Sequence, residues 1–149
     1  MSSAYTILDG VTIGPATIED FNEVFLDTAL HTRVTEGLHG HSPEFNSSYM
    51  LISYGKYKQL GTYRVLGNGF CEVHIACPKD SIKASRLLTF AAMRWLLEIK
   101  YPELQGLVTT CPDSMVMVRN ALYKLGFKKI TFEGSSVYLY IAPSPSLIT

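Results

Sequence analysis

The chain has 149 residues, 47% of them apolar and 17% charged, with thirteen basic side chains balancing thirteen acidic ones. That length can bury an ordinary core as a single domain, expected to span 1–149 with a flexible tail at about 143–149. A nucleic-acid binder carries a basic face, and no Lys/Arg cluster here exceeds Lys128-Lys129, so nucleic acid is not an expected partner.

Cys71, Cys77 and Cys111 form no CxxC pair and cannot all pair within one chain, which fits a reduced, cytoplasmic setting. The N-terminus has no basic region followed by an apolar run, so no signal peptide is expected. "RLLTFAAMRWLLEI" is interrupted by Arg94 and is too short to cross a bilayer, so no membrane partner is expected either. The sparse charge leaves room for a homodimer or a protein partner.

In chain order, "LDGVTIGPAT" reads as a first strand ended by Gly14-Pro15. Thr17 then caps a helix whose first turn holds Glu19 and Asp20, with Ile18, Phe21, Val24, Phe25 and Leu30 at helical spacing. "TEGLHGHSPEF" reads as a loop and "NSSYMLIS" as a short second helix. "YKQLGTYRV" has β composition, Gly67-Asn68-Gly69 is a hairpin turn, and "FCEVHIAC" alternates as a strand. Cys71, Val73, Ile75 and Cys77 fall on one face of it, and Glu72, His74 and Ala76 on the other. Ala84, Leu88, Ala91, Trp95 and Ile99 then form an apolar helical stripe that Pro102 stops. "GLVTT" is a short buried strand. "PDSMVMVRNALYKLGF" is a helix capped by Asp113 or Ser114 and stopped by Gly126, with "SMVMV" as core material. "KKITFEG" and "SSVYLYIA" close the chain as a hairpin.

The order β-α-α-β-β-β-α-β-α-β-β calls for an α/β protein, a mixed sheet with helices on both faces. The histidines of "HGH", with His31 nearby, show no third ligand at metal spacing and read as loop polarity, so no metal is expected. Cys77 reads as a buried apolar cysteine rather than a nucleophile.

Two fragments carry a family resemblance. "VTIGPATIEDF" resembles the opening of GNAT-superfamily N-acetyltransferases, and "NALYKLGFKK" resembles their final helix and Gly-Phe turn. The resemblance spans Val11 to Ile141, and its texture is closest to GNAT-like proteins encoded by bacteriophages. It implies a mixed, mostly antiparallel sheet and acetyl-CoA bound where the fourth and fifth strands splay. The backbone of Ile75, Ala76 and Cys77 would then meet the pantetheine arm. Lys83, Ala84, Ser85 and Arg86, at the following helix entrance, would meet the pyrophosphate, with Lys79 as a further cation. That entrance contains no glycine, none occurring between Gly69 and Gly106.

The resemblance further implies Glu72 or His74 as the base for an amine acceptor and Tyr123 as the acid for the departing thiolate. Ser114 stands in for a cofactor-contacting asparagine that the family places about two turns before the tyrosine, Asn120 being out of register. Two functional readings follow. One is an acetyl-CoA-dependent N-acetyltransferase acting on a small-molecule or protein amine in the cytoplasm, that of the host if the chain is phage-encoded. The other is a catalytically silent GNAT-like binding or assembly module, possible in a phage.

Overall fold

A computed structural model describes residues 6–25, 48–111, 115–132 and 135–143. The elements are β1 (Thr6–Leu8), β2 (Val11–Pro15), α1 (Ile18–Phe25), β3 (Tyr49–Tyr54), β4 (Tyr57–Val65), β5 (Phe70–Ala76), α2 (Ser85–Arg94), β6 (Gly106–Thr109), α3 (Val116–Leu125), β7 (Lys128–Phe132) and β8 (Ser135–Ile141). A 3-10 segment, Lys79–Ala84, leads into α2, and a π-helical turn, Trp95–Lys100, follows it. Eight strands form one sheet in the order β1-β2-β3-β4-β5-β6-β8-β7, and only β5 and β6 run parallel. This is the expected mixed, mostly antiparallel α/β sheet.

Helix α1 covers one face through Val24, Phe21 and Phe25 against Leu60, Ala76 and Tyr49. Helix α2 and the π turn after it cover the other, where Leu88, Ala91 and Leu96 meet Ile13, Ile52, Cys71 and Leu107. The Thr17 hydroxyl accepts from the Asp20 N–H at 3.1 Å, and the Asp20 carboxylate accepts from the Thr17 N–H at 3.0 Å. This reciprocal cap fixes where α1 begins. Gly126, with φ of +102°, ends α3, and the Phe127 N–H reaches back to the Leu122 carbonyl.

Three local readings need correction. The first strand is a two-strand hairpin: Leu8 faces Val11, and Asp9-Gly10 turns with positive φ at both residues. "NSSYMLIS" contributes not to a second helix but to β3, paired with β2 on one side and β4 on the other. Met50 and Ile52 enter one core while Tyr49 and Leu51 pack against the other, so the strand is apolar on both faces and shows no strand period. After α2 the π turn shifts the helical phase, burying Leu96 and leaving Ile99 exposed.

Candidate functional site

Strands β5 and β6 are pinned together at one end. The Gln105 N–H donates to the Gly69 carbonyl at 2.7 Å, and pairing then runs from Phe70–Gly106 through Cys71–Leu107 to Glu72–Val108. There it stops. β5 continues to Ala76 with β4 as its strand partner, while β6 follows β8 as far as Thr109–Tyr138. The two strands diverge, and beyond Glu72 the β6-facing edge of β5 has no strand along it among the described residues.

The divergence opens into a cavity of about 630 Å³ with mostly apolar walls. Of the residues singled out in the sequence, His74, Ile75, Ala76, Cys77, Lys83, Ser85 and Arg86 line it. Glu72, Ala84 and Tyr123 do not. Ala84 is instead packed into the core beside Leu88. Ser114, His31, His39 and His41 lie outside the described residues.

Glu72 and His74 share a face of β5, two residues apart, and meet there: His74 Nε2 lies 3.1 Å from Glu72 Oε2. Arg64, directly opposite Glu72 in β4, donates from Nε to Glu72 Oε1 at 3.1 Å. Burial pushes the Glu72 carboxyl up, but hydrogen bonds from Arg64 and His74 outweigh it and hold the group below the usual carboxylate range. A carboxylate so engaged is a weak base. His74 is the member of the pair that reaches the cavity. In the neutral imidazole, a proton on Nε2 directed at Glu72 leaves the Nδ1 lone pair unused.

His74 is flanked in register by Thr62 of β4, and Thr62 by Tyr49 of β3, so these three form one row across the sheet on the α1 side. All three line the cavity, together with Phe25. The Thr62 hydroxyl lies 2.8 Å from that of Ser48, and Phe21 meets the Tyr49 ring edge-on at 5.2 Å between centroids. Only the strand pairing brings this row together, which is why residue spacing did not reveal it.

At the open end the wall is cationic. Lys83, Arg86 and, from α3, Lys124 line the cavity, and none of them forms an ion pair among the described residues. Lys83 Nζ sits 5.5 Å from the Tyr57 ring centroid. The backbone contributes less than a glycine turn would. The Ser85 N–H is spent on the Ile82 carbonyl, and its hydroxyl donates to Gln59 Oε1 at 2.9 Å. Gln59, fully buried, passes the chain on to the Thr89 hydroxyl at 2.9 Å.

Tyr123 lies elsewhere on α3, its ring centroid 5.9 Å from that of Tyr138 in β8. The Tyr138 hydroxyl is buried without a hydrogen bond of normal geometry; burial and the neighbouring Tyr123 hydroxyl push it up to about 12. In place of Tyr123, α3 offers the cavity Asn120 and Lys124, one helical turn apart.

No protein-family model matches the sequence, and no curated protein matches it either. Solved structures do match in fold. A GNAT-family acetyltransferase from Bacillus anthracis superposes with a TM-score of 0.67 at 11% identity, over 93% of this chain and 97% of that one. The N-acetyltransferase PseH of Campylobacter jejuni gives 0.63 at 14%, over 91% and 99%, and a GNAT-family acetyltransferase from Streptococcus agalactiae gives 0.63 at 13%, over 93% and 100%. At such identities the likeness is one of fold.

Proposed function

We propose that the chain is an acyl-CoA-dependent N-acyltransferase, with acetyl-CoA as the reference donor and an amine as acceptor. The observation that carries this reading is the parting of β5 and β6 after Glu72 and Val108, into a cavity rimmed by Lys83, Arg86 and Lys124. The residues fit such a donor. A strand edge with no strand along it suits amide groups of an extended arm, and three cations without ion-pair partners suit phosphates, both among the described residues. Because Ser85 is committed internally, side-chain charge rather than an amide cradle does most of the anion holding.

A bound thioester supplies an activated carbonyl and a thiolate leaving group. His74 takes the proton that the acceptor ammonium sheds, and Glu72, fixed by Arg64, orients the imidazole. Thr62 and Tyr49 bound the acceptor side, where the Glu72 carboxylate beside the row is already neutralised by Arg64. Such a wall suits a small or apolar amine better than a polycation. The wider setting, a phage host, rests on the sequence resemblance, and the cytoplasm on the pattern of the three cysteines.

The alternative, a silent module of the same fold, is favoured by the internal commitment of Ser85. Calorimetric titration with acetyl-CoA separates the two. Saturable one-to-one binding, weakened at least tenfold by Arg86→Glu, supports the transferase; no heat at millimolar acetyl-CoA supports the module.

A further inference from the structure

Sulfur is concentrated in the cavity wall. Of the five methionines in the sequence, Met50, Met93, Met115 and Met117 all line it, one from β3, one from α2 and two from the entrance to α3. The sequence reading placed "SMVMV" in the core, yet Met117 is 78% exposed and α3 contains no fully buried residue. The apolar side of α3, Met115, Val118 and Leu122, therefore faces the cavity as well as the core.

The cavity also reaches deeper than the parted strands. Ala92 and Met93 of α2 and Leu96 of the π turn after it, each almost fully buried, belong to its wall. Beside them, Met50, Gly61 and Ile75 form a row across β3, β4 and β5, and the middle residue has no side chain. A Cβ on Gly61 would lie 3.0 Å from the Met50 methyl, so Met50 leans into the space that the glycine leaves. Unbranched thioethers adapt to the shape of an apolar guest, and an apolar hollow within a core costs stability unless a guest fills it.

We propose that this methionine-lined chamber holds the acyl chain of the donor, and that the preferred donor carries a medium-length fatty acyl group rather than acetyl. This rests on the acyl-CoA reading above and names the substrate class for the same site. Amide and phosphate groups are served at the strand edge and the cationic rim. The chamber itself is lined by thioethers and alkyl groups, with small, nearly buried Ala92 in its wall.

The test compares CoA, acetyl-CoA and octanoyl-CoA by calorimetry and by spectra of the protein labelled at its methionine methyl carbons. Octanoyl-CoA is expected to bind at least tenfold more tightly than acetyl-CoA and to shift the Met50 and Met93 methyls, which CoA alone leaves in place. Ala92→Leu, adding bulk to the wall of the chamber, should abolish the octanoyl advantage while changing CoA affinity less than twofold. Met115→Phe, at a partly buried position at the entrance to α3, serves the same purpose should Ala92→Leu not fold. CoA binding with no gain from the longer chain, or equal methyl shifts with CoA and octanoyl-CoA, overturns the chamber but leaves the donor class standing. Failure of all three to bind overturns both.

Discussion

Glu72 and His74 were both candidate bases in the sequence, and the residue that separates them is Arg64. It lies eight positions earlier in the chain and reaches Glu72 only because β4 and β5 pair in that register. Alternation in "FCEVHIAC" made the shared face legible; the third partner was not, since it depends on pairing rather than spacing. His74→Gln should lower kcat by about 10²–10⁴-fold with little effect on donor affinity. Glu72→Gln should lower it less, because Gln keeps an acceptor for the imidazole; equal losses would make Glu72 the base. The depressed Glu72 carboxyl has a consequence for stability. A group whose folded pKa lies below its unfolded value adds stability that is complete above the unfolded value and lost as pH falls through the folded one. Urea unfolding should show wild type more stable than Glu72→Gln at pH 7, with the gap shrinking below about pH 4.3. Arg64 is exposed, so the gap is expected to be modest. A gap that widens in acid contradicts the assignment.

At the scale of elements, the signals with a local cause could be read directly. Thr17 and Asp20 make their cap within one turn, Gly69 takes the positive φ that its hairpin needs, and Gly126 ends α3 as expected. β3 could not be read so, because burial on both faces erases the alternation that marks a strand. Asp9-Gly10 was a readable turn signal that the longer strand reading absorbed. Gly106 shows how tightly the closed end of the wedge is set. A Cβ there would sit 2.0 Å from the backbone carbonyl oxygen of Tyr140, so β6 and β8 approach each other only over a glycine. Gly106→Ala should therefore cost about 1–3 kcal/mol in chemical unfolding, by forcing β6 away from β8. A neutral substitution would mean that the strands can part freely, and the wedge would lose its fixed end. The opposite end answers to charge. Lys124→Glu should weaken acetyl-CoA binding, and the wild-type affinity should fall as salt rises, since exposed cations are screened. Affinity indifferent to salt would remove the cationic rim from the account.

Across the whole molecule, the sheet reconciles a short charge-poor sequence with a sizeable cavity by splitting the one parallel pair among its described strands. The element order made a mixed sheet legible, and the resemblance in "VTIGPATIEDF" and "NALYKLGFKK" pointed to a splay between the right two strands. The cavity wall was not legible, because Met50, Ala92 and Lys124 come from three elements, with Met115 at the entrance to the last, and share no spacing. No helix among the described residues is long and apolar enough to cross a membrane. The most direct measurement is amide hydrogen exchange with and without acetyl-CoA. Slowed exchange between Val73 and Cys77, with Cys71 unchanged, is the predicted result. Identical exchange along all of β5 at saturating acetyl-CoA would contradict the account.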